Sequence, residues 1–487
     1  MEAIPIAVFW GISFWALWQR RHVLMYLFFA TMPFGSFAAL PTSVTGGLTL
    51  TPAPIVALIF IVRELSGSRG VRGAVAGALK PSGLLLLFLF WLVACIVTVF
   101  SPRFFAGQIE VVPVRSVGLF STAMLFPTLQ NVSQIVYTTI SVLTVFVFSR
   151  LLRAPDMREH ALRALCLGAT VTVATGFIDF VSQSLSLQSV LEIFRTASYT
   201  LLTEDEVMGS KRVVGLMPEA SAFGGLVLGF LAALYFFRRA MAAGWMRDRA
   251  VPVLLGALLL LVWLSTSSSA YLGLGLFAVT LVAEWCWRLF AAGRNPYLHR
   301  GLNSEFWIGV SGLGVLLLIV LASPQIFEPI IKMVDLMVMQ KSSTSSFEER
   351  SMWTQVSWNA LLSTHGFGVG MGGTRASNFV VALASNAGFI GAGLYFLFVW
   401  QCLLIRRAPA GDAQGAALLS ACRWSYLPAF CAILTVGTTP DFGLFNAFLY
   451  GFAVAIAHKT SPRAAAASQQ RPRGSSCSSM PRSARAN

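Results

Sequence analysis

Residues 83–100 read GLLLLFLFWLVACIVTVF, a run without a single charge. About 20 apolar residues in helical form are needed to cross the hydrocarbon core of a bilayer. The same character extends through the chain: 56% of its 487 residues are hydrophobic, only 11% are charged, and the mean hydropathy is +0.72. A soluble domain has about a quarter of its residues charged. The sequence therefore predicts an all-α, polytopic membrane protein and excludes a soluble globule.

Apolar segments like residues 83–100 recur along the chain, and they predict about 12–13 transmembrane helices in one membrane domain, residues 1–460. The thirteen candidate spans are residues 4–18, 23–40, 50–62, 83–100, 133–149, 164–181, 213–237, 251–265, 268–287, 306–322, 379–404, 424–437 and 441–458. Residues 461–487 are rich in Ala, Ser, Arg and Pro, which predicts a disordered tail.

Positive charge alternates between the two ends of these spans. Lysine and arginine are enriched in short loops on the cytoplasmic side of a membrane. Of the 35 Lys and Arg residues, 26 follow odd-numbered spans or lie in the tail, so we expect the N-terminus outside and the C-terminus in the cytoplasm. The net charge of +15 then reflects topology and contact with anionic lipids rather than binding of nucleic acid.

Three predicted outer segments are longer than a simple turn: residues 101–132, 182–212 and 323–378. An apolar stretch in the first predicts a re-entrant or interfacial piece. The second leads into Pro218-Glu219, in the first turns of a span. A carboxylate at that depth is costly unless it is paired or faces water. Glu219 is therefore either functional or simply an anion that caps a helix start, where the helix dipole favours it.

The third segment has the pattern of an ordered loop. An apolar stripe over residues 327–338 predicts a helix on the membrane surface, and Ser346-Phe-Glu-Glu349 is typical of a capping box that opens a helix at about 347–363. Five glycines between positions 366 and 373 follow, and they allow turns with positive φ. A glycine-rich loop before a helix start can bind an anion.

Two arginines strengthen the prediction of an anion site. Guanidinium groups bind phosphate oxygens well, and Arg350 lies on the predicted helix while Arg375 lies where the loop returns to the membrane. The alternative for Arg375 is that its side chain extends to lipid headgroups.

Several residues in this region resemble the signature of the bacterial O-antigen ligase/polymerase superfamily. They are Glu349-Arg350, Trp353, Trp358-Asn-Ala, His365-Gly-Phe-Gly-Val-Gly, Ser377-Asn378 and Gly388-Phe-Ile-Gly391. A second element is similar to one of exopolysaccharide polymerases: Arg212-Val-Val-Gly215 with Pro218-Glu219-Ala-Ser221. The ligase pattern has a histidine before the asparagine, where this chain has Ser377. That departure favours a polymerase over a ligase.

The resemblance implies glycosyl transfer on the periplasmic face of the bacterial inner membrane, with residues 182–212 and 323–378 as periplasmic loops. The substrate would be an oligosaccharide on undecaprenyl pyrophosphate, and the pyrophosphate would be the leaving group. Positive charge must then stabilise the leaving group. The candidates for binding it are Arg212, Arg350, Arg375 and Asn378.

A base must also accept the proton of the attacking hydroxyl. Glu219 is the first candidate and His365 the second. No cofactor is expected and no metal, since no ligand-like spacing occurs among the acids and cysteines. A chain-length regulator and a flippase are possible protein partners.

Two other functions stay open at this point. A ligase would move a finished glycan to another acceptor with much the same residues. A flippase or exporter would move the lipid-linked saccharide without chemistry, and such carriers commonly have internal repeats.

Overall fold

The computed structural model describes most of the chain. The described residues are 3–41, 44–45, 49–67, 70–80, 83–114, 120–185, 188–199, 201–203, 206–207, 210–291, 295–323, 328, 335 and 345–457. Apart from residues 328 and 335, the predicted stripe at 327–338 lies outside these ranges. The same is true of the predicted tail at 461–487 and of three cationic residues, Arg115, Lys332 and Lys341.

Helices account for nearly all regular structure in the described residues. They are α1 (Ala3–Trp18), α2 (Arg21–Ala30), α3 (Pro52–Leu65), α4 (Gly70–Ala78), α5 (Leu85–Phe104), α6 (Leu129–Leu151), α7 (Pro155–Ser182), α8 (Gln188–Glu192), α9 (Ala220–Phe237), α10 (Val251–Leu264), α11 (Ser268–Ala291), α12 (Leu302–Ala322), α13 (Ser345–Ser363), α14 (Phe379–Trp400), α15 (Ala413–Val436) and α16 (Leu444–Ile456). Two antiparallel hairpins are also present, β1 (Glu110–Val111) with β2 (Ala123–Met124) and β3 (Glu206–Val207) with β4 (Ser210–Lys211).

Each of the thirteen predicted spans overlaps a helix, and the prediction of an all-α polytopic membrane protein is confirmed. The span predicted at 23–40 is too long, since α2 ends at Ala30. Eight of these helices in the described part of the chain are long and apolar enough to cross a membrane. The other five, α1, α2, α3, α10 and α16, are 10 to 16 residues long. At 1.5 Å per residue, such helices are shorter than the ~30 Å hydrocarbon core.

Aromatic side chains fill the centre of the bundle. Phe148 of α6 makes edge-to-face contacts with Phe28 of α2 and Phe448 of α16, with ring centroids 5.3 Å apart in both pairs. A Cβ atom added at Gly451 would lie 2.5 Å from the Phe148 Cβ. Small residues let membrane helices approach closely, so Gly451 sets the spacing of α6 and α16.

The two ends of the bundle differ in composition. We call one the basic end; there Arg158 pairs with Asp412 at 3.2 Å and Arg63 donates to the Ala16 carbonyl. We call the opposite end the loop end. It contains the segments before α9 and α14, and these segments contact the rest of the protein there. For example, Ser36 N–H donates to the Leu216 carbonyl. This separation agrees with the alternation of arginines along the sequence.

A buried ion network stabilises the basic end. Arg288 and Glu284, both on α11, are fully buried and pair at 2.9 Å, and Arg239 and Glu305 complete the network. Charges in an apolar bundle are costly unless they are paired. Two acids and two arginines balance one another here, so the network links the end of α9 to α11 and α12.

The segment 101–132 differs from the prediction. Instead of a re-entrant piece, its described residues extend α5 to Phe104, form the β1–β2 hairpin and start α6 at Leu129. Ile109, Val111 and Leu125 of the hairpin pack with Ala360 and Val369 in a small separate core. Packing under α13 therefore accounts for the buried part of the stretch, whereas Met124 and Phe126 are 51% and 55% exposed, as expected of the interfacial alternative.

Candidate functional site

A glycine loop, residues 364–377, joins α13 to α14 and packs against a break in α14. Gly388 has φ +74°, which interrupts the helix, and a Cβ atom there would lie 2.3 Å from the Phe367 carbonyl oxygen. Val369 N–H donates to the Ser385 carbonyl at 2.7 Å, and Gly370 N–H donates to the Asn386 carbonyl at 3.0 Å. The predicted positive-φ turns are confirmed, at positions 366, 368, 370 and 372.

The amide groups of this loop are used by the protein itself. Met371 N–H donates to Thr98 Oγ1 on α5 at 2.9 Å, and Gly373 N–H donates to the buried Asn386 side chain at 3.1 Å. The Asn131 side chain on α6 in turn donates to the Met371 carbonyl. The prediction that the loop presents free amides to an anion is thus wrong for these positions. The loop instead anchors α13 to α5, α6 and α14.

An arginine cluster lies beside this anchored loop. The Arg375 guanidinium carbon is 3.6 Å from the centroid of the Trp353 ring, and Arg375 interacts electrostatically with Glu349 and Arg350 on α13. Burial is the main cause that lowers the pKa of Arg375, and the charge of Arg350 lowers it further while that of Glu349 raises it. The structure thus brings together two of the four predicted phosphate-binding residues.

The backbone of Arg375 is held from two sides. Its N–H donates to the Val112 carbonyl of the β1–β2 segment at 3.0 Å, and its carbonyl accepts from the Ser357 hydroxyl of α13 at 2.7 Å. Ser357 also contacts Thr374 Oγ1 at 2.8 Å, and Ser377 N–H donates to Thr354 Oγ1. The guanidinium therefore projects from a fixed position, as preorganised stabilisation of charge requires.

Asn378 and His365 occupy the two ends of this unit. Asn378 caps α14, since its side-chain oxygen accepts from Val380 N–H at 2.9 Å and Val381 N–H at 3.2 Å. The exposed His365 ends α13 in a left-handed conformation, φ +53°. It lies ten residues before Arg375 in the chain.

A second group at the loop end is built on a buried ion pair. Asp179 of α7 is 0% exposed, and its Oδ1 accepts from Arg195 at 3.1 Å. Its Oδ2 accepts from the amides of Val214 at 2.7 Å and Gly215 at 2.9 Å. The pair therefore fixes the segment that leads from Arg212 to Glu219. This pairing of a residue within a predicted span with one in an outer segment was not predicted from the sequence.

Glu219 stands at the N-cap position of α9 without capping it. Its side chain makes no hydrogen bond to the helix backbone, and its Oε1 accepts instead from the Ser221 hydroxyl. Glu219 therefore lies at the start of α9, where the helix dipole favours an anion, without a side-chain bond to the helix amides. Arg212 lies within electrostatic range of the Tyr271 hydroxyl at the start of α11.

The two groups lie at the same end of the bundle. A Cβ atom added at Gly437, which ends α15, would lie 2.9 Å from the Cβ of Phe379 at the start of α14. Helix α15 in turn packs along α9, which starts next to Glu219. The arginine cluster and the Glu219 segment thus belong to neighbouring helices.

Asp441, in the turn between α15 and α16, is a carboxylate that sequence reasoning did not assign to the site. The Ser141 side chain and the Phe442 and Gly443 amides hydrogen-bond to it, yet its Oδ1 atom is buried without a partner in the described structure. Its position at a span end was the only signal in the sequence. Elsewhere, a group of three or more His, Cys, Asp or Glu side chains placed to hold a metal does not occur among the described residues.

Fold and composition together define a class, the polytopic all-α membrane proteins, with an ordered polar unit at one end of the bundle. No protein-family model matches the chain, and no curated protein is significantly similar to it.

Proposed function

We propose that the chain is a polysaccharide polymerase of the bacterial inner membrane. It joins oligosaccharide repeat units carried on undecaprenyl pyrophosphate, at the periplasmic face, with its N-terminus in the periplasm and its C-terminus in the cytoplasm. The observation that carries this proposal is the arginine cluster, Arg375 stacked on Trp353 beside Arg350, at the end of the bundle opposite the basic end.

The arginine cluster suits a pyrophosphate leaving group. In the proposed step, a sugar hydroxyl of one lipid-linked unit attacks the anomeric carbon of the other, and the bond from that carbon to the pyrophosphate oxygen breaks. Negative charge then grows on the pyrophosphate, and Arg350 and Arg375 stabilise it. The Trp353 ring restricts the Arg375 guanidinium to one plane, which favours bidentate contact with phosphate oxygens.

The proton of the attacking hydroxyl passes to a base. Glu219 is our first candidate because its half-buried carboxylate faces Ser221 rather than the helix backbone. His365 is the second, since it is exposed at the end of α13. In this proposal Arg212, near the start of the same segment as Glu219, binds a second phosphate or the acceptor lipid.

An enzyme is favoured over a carrier by the polar unit itself. Thr98, Asn131, Ser357 and Asn386 hold the glycine loop and Arg375 in one arrangement, through hydrogen bonds to four separate elements. A carrier needs a site that changes its access, whereas catalysis needs groups held in a fixed geometry.

The proposal is tested by the lipid-linked saccharide that accumulates in cells. We expect deletion of the gene to leave single repeat units on their lipid at the periplasmic face, and Arg350→Ala and Arg375→Ala to leave the same product. Arg103→Ala is the matched control, because Arg103 is an exposed arginine on the last turn of α5. Long polymer still on its lipid would indicate a ligase, and units trapped in the cytoplasmic leaflet would indicate a flippase. Either result would overturn the proposal.

A further inference from the structure

The basic end contains a large pocket that the proposed function does not use. Its volume is about 610 Å³, and it lies between α4, the C-terminal end of α6, the end of α14 and the end of α16. We call it the basic pocket. Five cationic side chains line it: Lys80, Arg150, Arg153, Arg406 and Arg407. None of the described residues that line it is acidic.

The cations of the basic pocket lie close enough to affect one another. Arg153, just beyond the end of α6, is exposed at its surface but partly desolvated by the surrounding protein, and this desolvation and the neighbouring charge of Arg150 lower its pKa. A like charge disfavours the cationic form, and a bound anion would remove that repulsion. The pocket is therefore electrostatically suited to an anion.

A second charged pocket, of about 370 Å³, differs from the basic pocket in the charges that line it. It is lined by Arg239 and Arg247 among other residues, but it also contains Glu305 and Asp248. The two acids pair with these two arginines, at 3.3 Å and 2.7 Å. The lining of this pocket therefore contains acids as well as arginines, whereas the described lining of the basic pocket contains five cations and no acid.

The cations of the basic pocket form an inner and an outer group. Arg150 donates to the Gly70 carbonyl at 2.6 Å, and the buried Arg406 donates to the Gly83 carbonyl and to the Gln401 side chain. These contacts fix the two inner arginines in the wall. Lys80, Arg153 and Arg407 are exposed at the rim, where they can close on a ligand.

Apolar surface adjoins these charges. Phe146, Leu84 and Val454 line the same pocket. On α4, Val71 and Val75 are 59% and 51% exposed, and they form a stripe on the face opposite Gly73 and Gly77. An apolar stripe on a short surface helix is typical of a helix that lies in the bilayer interface. Such a position of α4 would bring the basic pocket to the depth of lipid headgroups.

We propose that the basic pocket is a binding site for an anionic phospholipid. The headgroup phosphate lies among the five cations, and the acyl chains follow the apolar wall. Soluble phosphate compounds share the charge but not the hydrocarbon, so the apolar wall favours the lipid. This inference is independent of the proposed enzymatic function.

The test compares the full-length protein with two triple variants of equal charge. Lys80→Gln/Arg153→Gln/Arg407→Gln removes the rim, and Arg20→Gln/Arg163→Gln/Arg249→Gln removes three exposed arginines elsewhere. Each protein is delipidated in a neutral detergent and titrated with phosphatidylglycerol or phosphatidylcholine, and the bound lipid is counted by native mass spectrometry. We expect the wild type and the control to retain phosphatidylglycerol, and the rim variant to bind it roughly tenfold more weakly.

Folding and ligand source are controlled separately. Lys80→Arg/Arg153→Lys/Arg407→Lys changes the same three positions but keeps their charges, and it should retain phosphatidylglycerol. Retention by this variant shows that the rim variant loses lipid because it loses charge and not because it misfolds. Equal retention by the rim variant and the control variant would overturn the proposal. So would equal binding of phosphatidylcholine, or saturable binding of ATP without lipid, because the pocket would then serve a soluble phosphate compound.

Discussion

At the scale of single residues, the ion pair between Asp179 and Arg195 determines where α9 can begin. The span was predicted to start at residue 213, but α9 starts at Ala220. The carboxylate of Asp179 binds the amides of Val214 and Gly215, which holds this segment out of the helix. Hydropathy alone could not predict the later start of α9, because that start depends on Asp179, which lies 35 residues before Val214 in the chain.

We expect Asp179→Ala to destabilise the protein by about 3–5 kcal/mol, because it leaves Arg195 buried without its counter-ion. Glu159→Ala is the matched control on the same helix: the Glu159–Arg163 pair is about half exposed, and exposed pairs contribute little. Thermal unfolding in detergent measures both variants. A loss of stability no larger for Asp179→Ala than for Glu159→Ala would contradict the role given to the pair.

Asn378 can be tested for two roles at once. Loss of a cap costs about 1 kcal/mol, so Asn378→Ala should lower the stability by roughly that amount. Asn378→Asp keeps an oxygen for Val380 N–H and should preserve stability. If Asn378 also contacts the pyrophosphate, the added negative charge should reduce polymer synthesis in a stable protein. Unchanged synthesis in Asn378→Asp would restrict the residue to capping.

At the scale of elements, the pattern of apolar residues was sufficient to predict a helix in each span but not where every helix begins and ends. The turn chemistry of the glycine loop was sufficient to predict its positive φ angles. The partners of the loop were not predictable in the same way. Thr98 and Asn131 belong to helices far earlier in the chain, and a single sequence without structure does not connect them to Met371. The free amides were inferred from glycine spacing, and these distant partners account for the error.

The break in α14 should be intolerant of a side chain. Gly388→Ala places a Cβ atom 2.3 Å from the Phe367 carbonyl oxygen at a positive φ, so we expect severe loss of folded protein or of polymer synthesis. Gly393→Ala, on the same helix with open space around it, should behave like the wild type. The yield of monodisperse protein after purification distinguishes the two. A well-folded, active Gly388→Ala protein would contradict the described break.

At the scale of the whole molecule, charge asymmetry predicted which segments share an end of the bundle. The buried network of Arg239, Glu284, Arg288 and Glu305 was not predicted, since the pairing of acids and arginines across three helices is set by tertiary packing. The location of each end relative to the membrane is part of the proposal, and it can be measured directly.

Single cysteines placed at the two ends should differ in their accessibility. In a variant without native cysteines, Ser184→Cys at the loop end should react with a membrane-impermeant maleimide in intact spheroplasts. Ala243→Cys at the basic end should react only after lysis. Both positions are exposed, so burial does not explain a difference. Labelling of Ala243→Cys in intact spheroplasts would reverse the proposed orientation.

Glycosyl transfer from a lipid pyrophosphate, supported by the arginine cluster, can be assayed with the purified protein. The most direct measurement is chain extension by the purified protein in proteoliposomes that contain the undecaprenyl-pyrophosphate-linked repeat unit. We predict polymer formation by the wild type and by Arg103→Ala, and a loss of about a hundredfold in Arg350→Ala and Arg375→Ala. Wild-type protein that forms no polymer, or arginine variants that extend chains at the wild-type rate, would contradict the account.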